Sequence, residues 1–500
     1  MPPAWADVAA GVAGLLLPLA FSPFDLVPLA ILSPALLFAS WHGASPGRAA
    51  FRGFLFGLGM FGVGVSWVYV SMHLYGNMPA ALAGFAVFLF VAGLSLYPAL
   101  LGWLQARLFP KPGPWHPLSV LASLWVLFEW MRGWFLTGFP WLHLGYSQIA
   151  TPLSGYAPWF GVYGVSYFCA ISAGLLAAGV RTPEKVLKIF LPLLILVWVA
   201  GWAAGRFEWV APLDKPLQVT LIQGNVPLES KWQPAARRVI MDRYASLSTQ
   251  APRSDLIVWP ESAIPVTREE IDPGYLENLQ RLSRTASTDF LMGIVERDKN
   301  TRRYYNSVIS VSPQPGTYRK QHLVPFGEYS PLDPLFRWLM RNLQIPMSDF
   351  SAGPADQPPL VAAGQKIGVS VCYEDAFGEE VIRALPQASL LVNVSEDAWF
   401  GNSIAPHQRL QMARMRALET GRPMLRAANT GPSAVIDHRG EVVAHSPQFQ
   451  VHALTATVQP MHGVTPYVRF GNWPVVLFLV LMLVGAVLGA YVHIRPIKMR

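Results

Sequence analysis

The chain has 500 residues, of which 52% are hydrophobic and only 14% charged. Soluble domains carry about a quarter charged residues, so an all-soluble globular protein is excluded and an integral membrane protein with a soluble part is implied. The net charge of +8 does not point to nucleic acid, because the basic residues gather in short loops beside apolar runs, where membrane topology asks for them.

A bilayer core needs about 20 apolar residues of helix. In chain order such runs fall at roughly 6–21, 25–41, 52–74, 79–106, 116–135, 157–180, 186–206 and 472–494. No basic segment precedes the first run, and more runs follow it, so it reads as a retained helix and not a cleaved signal. The first two are short and are separated by a tight turn, Ser22–Asp25, which suggests a helical hairpin. The expected fold is therefore a polytopic α-helical membrane domain of about eight spans, with a large soluble insertion. The expected domains are 1–211 (about seven helices), 212–465 (soluble) and 466–500 (a last helix and tail).

Orientation follows from Lys and Arg. Arg48 and Arg52 lie between the second and third runs, and Arg107 and Lys111 follow the fourth. Arg181, Lys185 and Lys188 lie between the sixth and seventh, and Arg495, Lys498 and Arg500 end the chain. The alternate loops near 22–25 and 75–78 have none. All basic loops then fall on the cytoplasmic side, with both termini, and the soluble segment faces outward. Glu129 and Arg132 share one run and read as a structural pair on one helix face.

The soluble segment alternates strand and helix signals. Strands are expected at Leu217–Gln223, Asp255–Trp259, Phe290–Val295, Asn306–Val311, Lys366–Val371, Leu390–Val394 and Ala434–Asp437, with helices at about 233–250, 273–286, 376–385 and 406–420. His438–Glu441 reads as a hairpin turn.

Three residues at the ends of β-like runs carry possible chemistry. Glu261 follows an apolar strand, and a carboxyl desolvated there has its pKa raised, as a general base near neutral pH requires. Lys320 is a cation able to hold a developing oxyanion. Cys372 ends one strand and is expected to open a helix, whose N-terminus favours the thiolate. Glu374 and Asp375 would oppose that unless they point away or bind Lys320. Taken alone, each has an ordinary reading: a solvated loop glutamate, a surface lysine, a buried structural cysteine. The other cysteine, Cys169, lies in an apolar run and reads as packing, so no disulfide is expected. An unpaired thiol in an outward-facing segment favours function.

Taken in order, these residues resemble the Glu-Lys-Cys set of the nitrilase superfamily. The surrounding words are similar to its membrane branch, the bacterial apolipoprotein N-acyltransferases. Matching stretches are Gln223–Pro227 with Lys231 and Trp232, Trp259–Glu261, His322–Tyr329, Cys372–Glu374, Asp397–Gly401 and Gln411–Glu419, and in the membrane part Thr137–Trp141 and Gly145–Gln148. The resemblance covers essentially the whole chain. It implies an α-β-β-α sandwich, with Glu261 as base, Lys320 as oxyanion holder and Cys372 as nucleophile. It further implies that Glu328 positions Lys320 and the base, and that Trp232, Tyr373 and Glu374 are supporting residues. Glu396 departs from the Asn expected in many relatives and matches no catalytic position.

The implied reaction moves an acyl chain from a membrane phospholipid, through a Cys372 thioester, to the α-amine of diacylglyceryl-cysteine on an apolipoprotein. It needs no metal or cofactor and implies a monomer in the bacterial inner membrane. The apolar arm Leu332–Met347, with Phe336, Trp338 and Leu339, is placed either to dip into lipid as a lid or to pack on the domain. Two rivals stand beside this reading. One is a membrane-tethered amidase with water as acceptor. The other is a transporter or receptor with a non-catalytic sensor domain, which would place ionisable residues in several spans.

The topology is testable. A reporter active only outside the cytoplasm should be on when fused near Pro313 and off near Arg107; the reverse pattern would contradict the orientation.

Overall fold

The structure, a computed structural model, describes residues 3–110, 113, 115–213, 215–329 and 349–494. Its chain divides into two compact units. One draws on Met1–Tyr69, Ala80–Glu208 and Phe470–Arg500, the other on Val70–Pro79 and Trp209–Arg469.

The first unit is helical. Four stretches are long and apolar enough to cross a membrane: Ala80–Leu108, Pro152–Val180, Pro183–Ala204 and Trp473–Ala490. Pro46–Gly64 continues into Trp67–Tyr75 across a 52° bend and counts as a fifth if the two are one span. Ala4–Ala20 and Leu29–Ser40 are apolar but shorter. The helix Ala122–Arg132 has only 11 residues beyond a one-turn lead-in. Length and composition thus give four or five spans among the described residues, where the apolar runs suggest about eight. The difference arises because runs of apolar sequence are interrupted as structure by turns and bends.

Helix contacts in this unit rely on small residues, as in lipid, where close van der Waals approach drives association. Gly57 lies against Ser95, and a Cβ on it would sit 2.6 Å from the Ser95 Cα. Gly102 meets the Ala49 carbonyl in the same way. Glu129 and Arg132 both reach the loop at 139–144. Glu129 Oε1 accepts from the Leu144 amide at 2.9 Å and from Trp125 Nε1 at 2.9 Å. Arg132 donates to the carbonyls of Phe139, at 2.8 Å, and Trp141.

The second unit is built, among the described residues, on fourteen strands. They are β1 (Val210–Pro212), β2 (Leu217–Gln223), β3 (Leu256–Val258), β4 (Asp289–Arg297), β5 (Tyr304–Val311), β6 (Thr317–Arg319) and β7 (Leu360–Ala362), followed by β8 (Gln365–Val371), β9 (Leu390–Ser395), β10 (Met424–Ala428), β11 (Ala434–Ile436), β12 (Val442–His445), β13 (His452–Val458) and β14 (Met461–Gly463). Two six-stranded sheets result, ordered β13-β2-β3-β4-β5-β6 and β12-β11-β10-β9-β8-β7, and β1 pairs with β14 in a ribbon. The strands β2, β3 and β4 run parallel, as do β8, β9 and β10.

Alternation along the strands explains the layers. Val219, Leu221, Val258 and Leu291 of one sheet meet Val371, Val392 and Val394 of the other in the core between them. The opposite faces pack on helices. Ile257, Phe290 and Met292 meet the helices Arg237–Gln250 and Pro273–Ala286. Leu391 and Met424 meet the helix Ala405–Thr420. The result is an α-β-β-α sandwich. The expected turn at His438–Glu441 closes the β11–β12 hairpin, with the Asp437 amide bonded to the Glu441 carbonyl at 2.9 Å.

Two expectations need correction. The helix proposed over 376–385 is only the short Gly378–Val381 and a 3₁₀ turn, Ile382–Ala384. Cys372 opens no α-helix but a five-residue 3₁₀ turn, Cys372–Ala376. The arm with Phe336, Trp338 and Leu339 lies outside the described residues.

Gly293 of β4 passes directly beneath the loop that carries Glu261. A Cβ there would lie 2.6 Å from the Glu261 Cα and 2.8 Å from the Ser262 nitrogen, both backbone atoms. Gly293→Ala should therefore cost about 1–3 kcal/mol, the usual range for overpacking, read as a lowered denaturation midpoint, with activity lost in step. An unchanged midpoint and activity would show that the loop yields freely.

Candidate active site

The ends of the strands deliver the candidate residues to one place. Glu261 follows β3, Lys320 follows β6 and Cys372 follows β8, so the carboxylate and ammonium come from one sheet and the thiol from the other. Carboxyl ends of parallel strands are where open α/β sheets place ligands. All three side chains are buried: Glu261 is 6% exposed, Lys320 1% and Cys372 9%.

Each is held by specific partners. Glu261 Oε1 accepts from Asn306 Nδ2 at 2.6 Å, and its Oε2 accepts from the Glu396 amide at 2.8 Å. Lys320 Nζ donates to Glu328 at 2.8 Å. Glu328 also takes Asn306 Nδ2 at 3.2 Å and the Val324 amide at 2.8 Å. Asn306, on β5, thus bridges the two glutamates.

Cys372 has φ of 51°, a left-handed conformation that a non-glycine residue adopts at a cost and that concentrates at functional sites. What enforces it is visible. Arg409 Nη2 and Asn393 Nδ2 grip the Cys372 carbonyl at 2.6 and 3.1 Å. Glu374 reaches back to the Val371 amide at 2.6 Å. Arg409 Nη1 lies 3.2 Å from Cys372 Sγ, while the same guanidinium is paired to Asp375 and Asp397.

The electrostatics follow from burial. It lifts the Glu261 carboxyl above the usual range; Lys320 pulls it back, and Glu328 and Glu396 add to the rise. Burial opposes the Lys320 charge, but Glu328 and Glu261 outweigh it and hold the ammonium above its ordinary value. The Cys372 thiol is pushed up to about 11, first by burial and then by Glu261, with Arg409 and Lys320 pulling the other way. The resting sulfur is therefore a thiol, and any attack by it would need a base to take its proton. A helix dipole does not supply the activation, since only a 3₁₀ turn follows; the nearby cations are Lys320 and Arg409.

Glu374 does not bind Lys320. It accepts from Tyr318 Oη at 3.1 Å and from the Gln321 and His322 amides at 2.6 and 3.1 Å. It thereby ties the Lys320 segment to the Cys372 turn, and burial pushes its carboxyl up to about 7 against the pull of Lys320 and those amides. Asp375 pairs with Arg409. Tyr373 packs its ring on Phe377 at 5.0 Å. Trp232 ends the short helix Leu228–Lys231, half-buried, while its neighbour Lys231 reaches the Glu261 carbonyl. Sequence reasoning gave no role to Asn306, Arg409 or Lys231. It set Glu396 aside, yet the Glu396 amide contacts the Glu261 carboxylate. The signal that could have found Arg409 is an arginine on the apolar side of a helix, which a buried anion must balance.

Two family models match the chain. The apolipoprotein N-acyltransferase N-terminal domain matches residues 13–175, and the carbon-nitrogen hydrolase model matches 218–466. The apolipoprotein N-acyltransferase of Nitrosomonas europaea is 47% identical, covering 97% of this chain and 97% of its own. That of Methylococcus capsulatus is 46% identical, covering 93% and 92%. The chain belongs to the apolipoprotein N-acyltransferase family. A solved structure of Saccharomyces cerevisiae Nit3, a member of branch 10 of the nitrilase superfamily, is 18% identical, with a TM-score of 0.37, and covers 51% of this chain and 93% of that one. The N-terminal domain match thus precedes the carbon-nitrogen hydrolase match along the chain.

Thiol chemistry offers a direct check. Alkylation of Cys372 by iodoacetamide, followed on its tryptic peptide, should keep climbing with pH past about 10, where an ordinary thiol of pKa about 8.5 has levelled off. A plateau by about pH 10 would contradict a thiol held at about 11.

Proposed function

We propose that this protein transfers a fatty acyl chain from a membrane phospholipid to the N-terminal α-amine of diacylglyceryl-cysteine in apolipoproteins, the last step of lipoprotein maturation. Family membership over nearly the whole chain supports the activity. The observation that carries the chemistry is that Glu261, Lys320 and Cys372 are all buried just past strand ends, with Glu374 tying the Lys320 segment to the Cys372 turn.

Glu261 takes the Cys372 proton as sulfur bonds to the ester carbonyl carbon. Lys320 holds the oxyanion. The carbon–oxygen bond breaks, Glu261 returns the proton to the departing lysophospholipid oxygen, and a thioester remains. The incoming α-amine, with a pKa of about 8, has a usable neutral fraction. It attacks the thioester, Glu261 accepts its proton, the carbon–sulfur bond breaks, and Glu261 passes that proton to the departing sulfur, giving an amide and the regenerated thiol. Glu328 positions Lys320, and through Asn306 it shares the support of Glu261. Tyr373, Glu374 and Trp232 are assigned supporting roles.

A lipid donor and a lipid-bearing acceptor account for the apolar helices. We place the protein in the bacterial inner membrane as a monomer of about eight spans, counting the short and broken helices. The catalytic domain, 212–465, faces the periplasm between membrane segments 1–211 and 466–500, and both termini are cytoplasmic.

Intact mass after exposure to phospholipid should show one acyl adduct, on Cys372. Cys372→Ala should abolish adduct and turnover while the protein stays folded, and Cys169→Ala should be nearly silent. Lys320→Ala should cost about 2.7–4 kcal/mol of transition-state stabilisation, or about 10²–10³ in rate. Substantial turnover by Cys372→Ala would refute the nucleophile. Release of free fatty acid in place of N-acylated lipopeptide would favour an amidase-type hydrolase.

A further inference from the structure

Two charged side chains beside Glu261 have no part in that scheme. Lys231 comes from the helix Leu228–Lys231 after β2, and Glu396 from the loop after β9. They form an ion pair with side chains only 2% and 7% exposed. Both also contact Glu261. Lys231 Nζ donates to the Glu261 carbonyl at 3.1 Å, and the Glu396 amide donates to Glu261 Oε2 at 2.8 Å. Asn429, just past β10, donates Nδ2 to the two Glu396 oxygens at 2.9 and 3.2 Å. Asn429 is itself locked to Val226 by bonds of 2.8 and 3.0 Å. Glu261 is therefore held by its main chain on one side and by its carboxylate on the other, and the ion pair joins the two holds.

Burying such a pair is rarely a net stability gain, because desolvation offsets the attraction. Its position gives it a different use. Lys320, Glu328, Cys372 and Glu396 face the Glu261 carboxyl, and Lys231 lies at its main chain. Glu396 is thus a fixed anion beside the base, and Lys231 neutralises it. We propose that Lys231 and Glu396 are a positioning pair that holds Glu261 against the nucleophile and sets the charge against which it ionises. This rests on the reading of Glu261 as base. Removing the Glu396 charge makes Glu261 easier to ionise. Removing the Lys231 charge leaves Glu396 unneutralised and makes Glu261 harder to ionise.

The test is the pH dependence of Cys372 acylation, followed by intact mass on full-length protein in phospholipid vesicles. Glu396→Gln keeps the backbone bond to Glu261 and an acceptor for Lys231. Its acid limb should move down by about one pH unit, so that one unit below the wild-type midpoint it reaches about fivefold more of its plateau than the wild type does. Lys231→Met should move the limb up, and Lys231→Arg should restore it. An unmoved limb in Glu396→Gln, or both variants moving the same way, overturns the proposal. Where Lys231→Met does not fold, Glu396→Gln decides alone. Glu261→Gln separates the two levels. If it acylates with the wild-type profile, the base assignment fails. If it is dead while Glu396→Gln keeps the wild-type limb, only the positioning pair fails.

Discussion

The catalytic unit depends on keeping many charges dry. Glu261, Glu374, Asp375, Glu396 and Asp397 are all buried at the ends of the strands, together with Lys231, Lys320, Arg409 and Arg426. An unpaired charge in such a place is strongly destabilising, so each must find opposite charge or several donors. Asp397 lies between Arg409 and Arg426, Asp375 meets Arg409, and Lys231 meets Glu396. The site is the surface of this balanced cluster, and its parts cannot be moved singly.

This arrangement solves a problem set by the topology. Glu261 rides on one sheet and Cys372 on the other, and the aliphatic core between the sheets has no directional preference. Registration at the ångström level comes from polar contacts at the strand ends. One line runs from Glu261 to the Glu396 amide, through the neighbouring Asp397, to Arg409 and Cys372. A second runs from Glu261 through Asn306 and Glu328 to Lys320. Such fixed dipoles and charges need no reorganisation when charge develops on a substrate.

Much of this was legible in the sequence, for identifiable reasons. β2, β3, β4, β5, β8 and β9 are apolar runs bounded by turn residues, and the ends of β3 and β8 carry Glu261 and Cys372; Lys320 instead follows β6, a three-residue strand with no apolar run to mark it. β10 was hidden because Arg426 breaks its apolar run; in the fold Asp397 and the Pro432 carbonyl receive it. β13, with threonines alternating among small residues, gives a weak signal at a sheet edge. The helix expected after Cys372 failed because Glu374 spends its oxygens on the preceding amides, closing a tight turn instead. Lys231, Asn306, Arg409 and Glu396 share a deeper obstacle. Their partners are far away in the chain, and no local pattern marks a polar residue whose partner arrives by tertiary folding. In the membrane unit, hydropathy measures composition but not continuity: it marks the first two runs as short but does not register the bend after Gly64.

The high proton affinity of Cys372 has a consequence for durability. Disulfide exchange and oxidation both start from the thiolate. With a pKa of about 11, the sulfur at neutral pH is ionised in only about one molecule in ten thousand. A cysteine kept permanently deprotonated would be open to every oxidant that reached it. A thiol that keeps its proton is chemically quiet toward both reactions. Burial thus gives Cys372 a resistance to oxidation that other thiols gain by pairing.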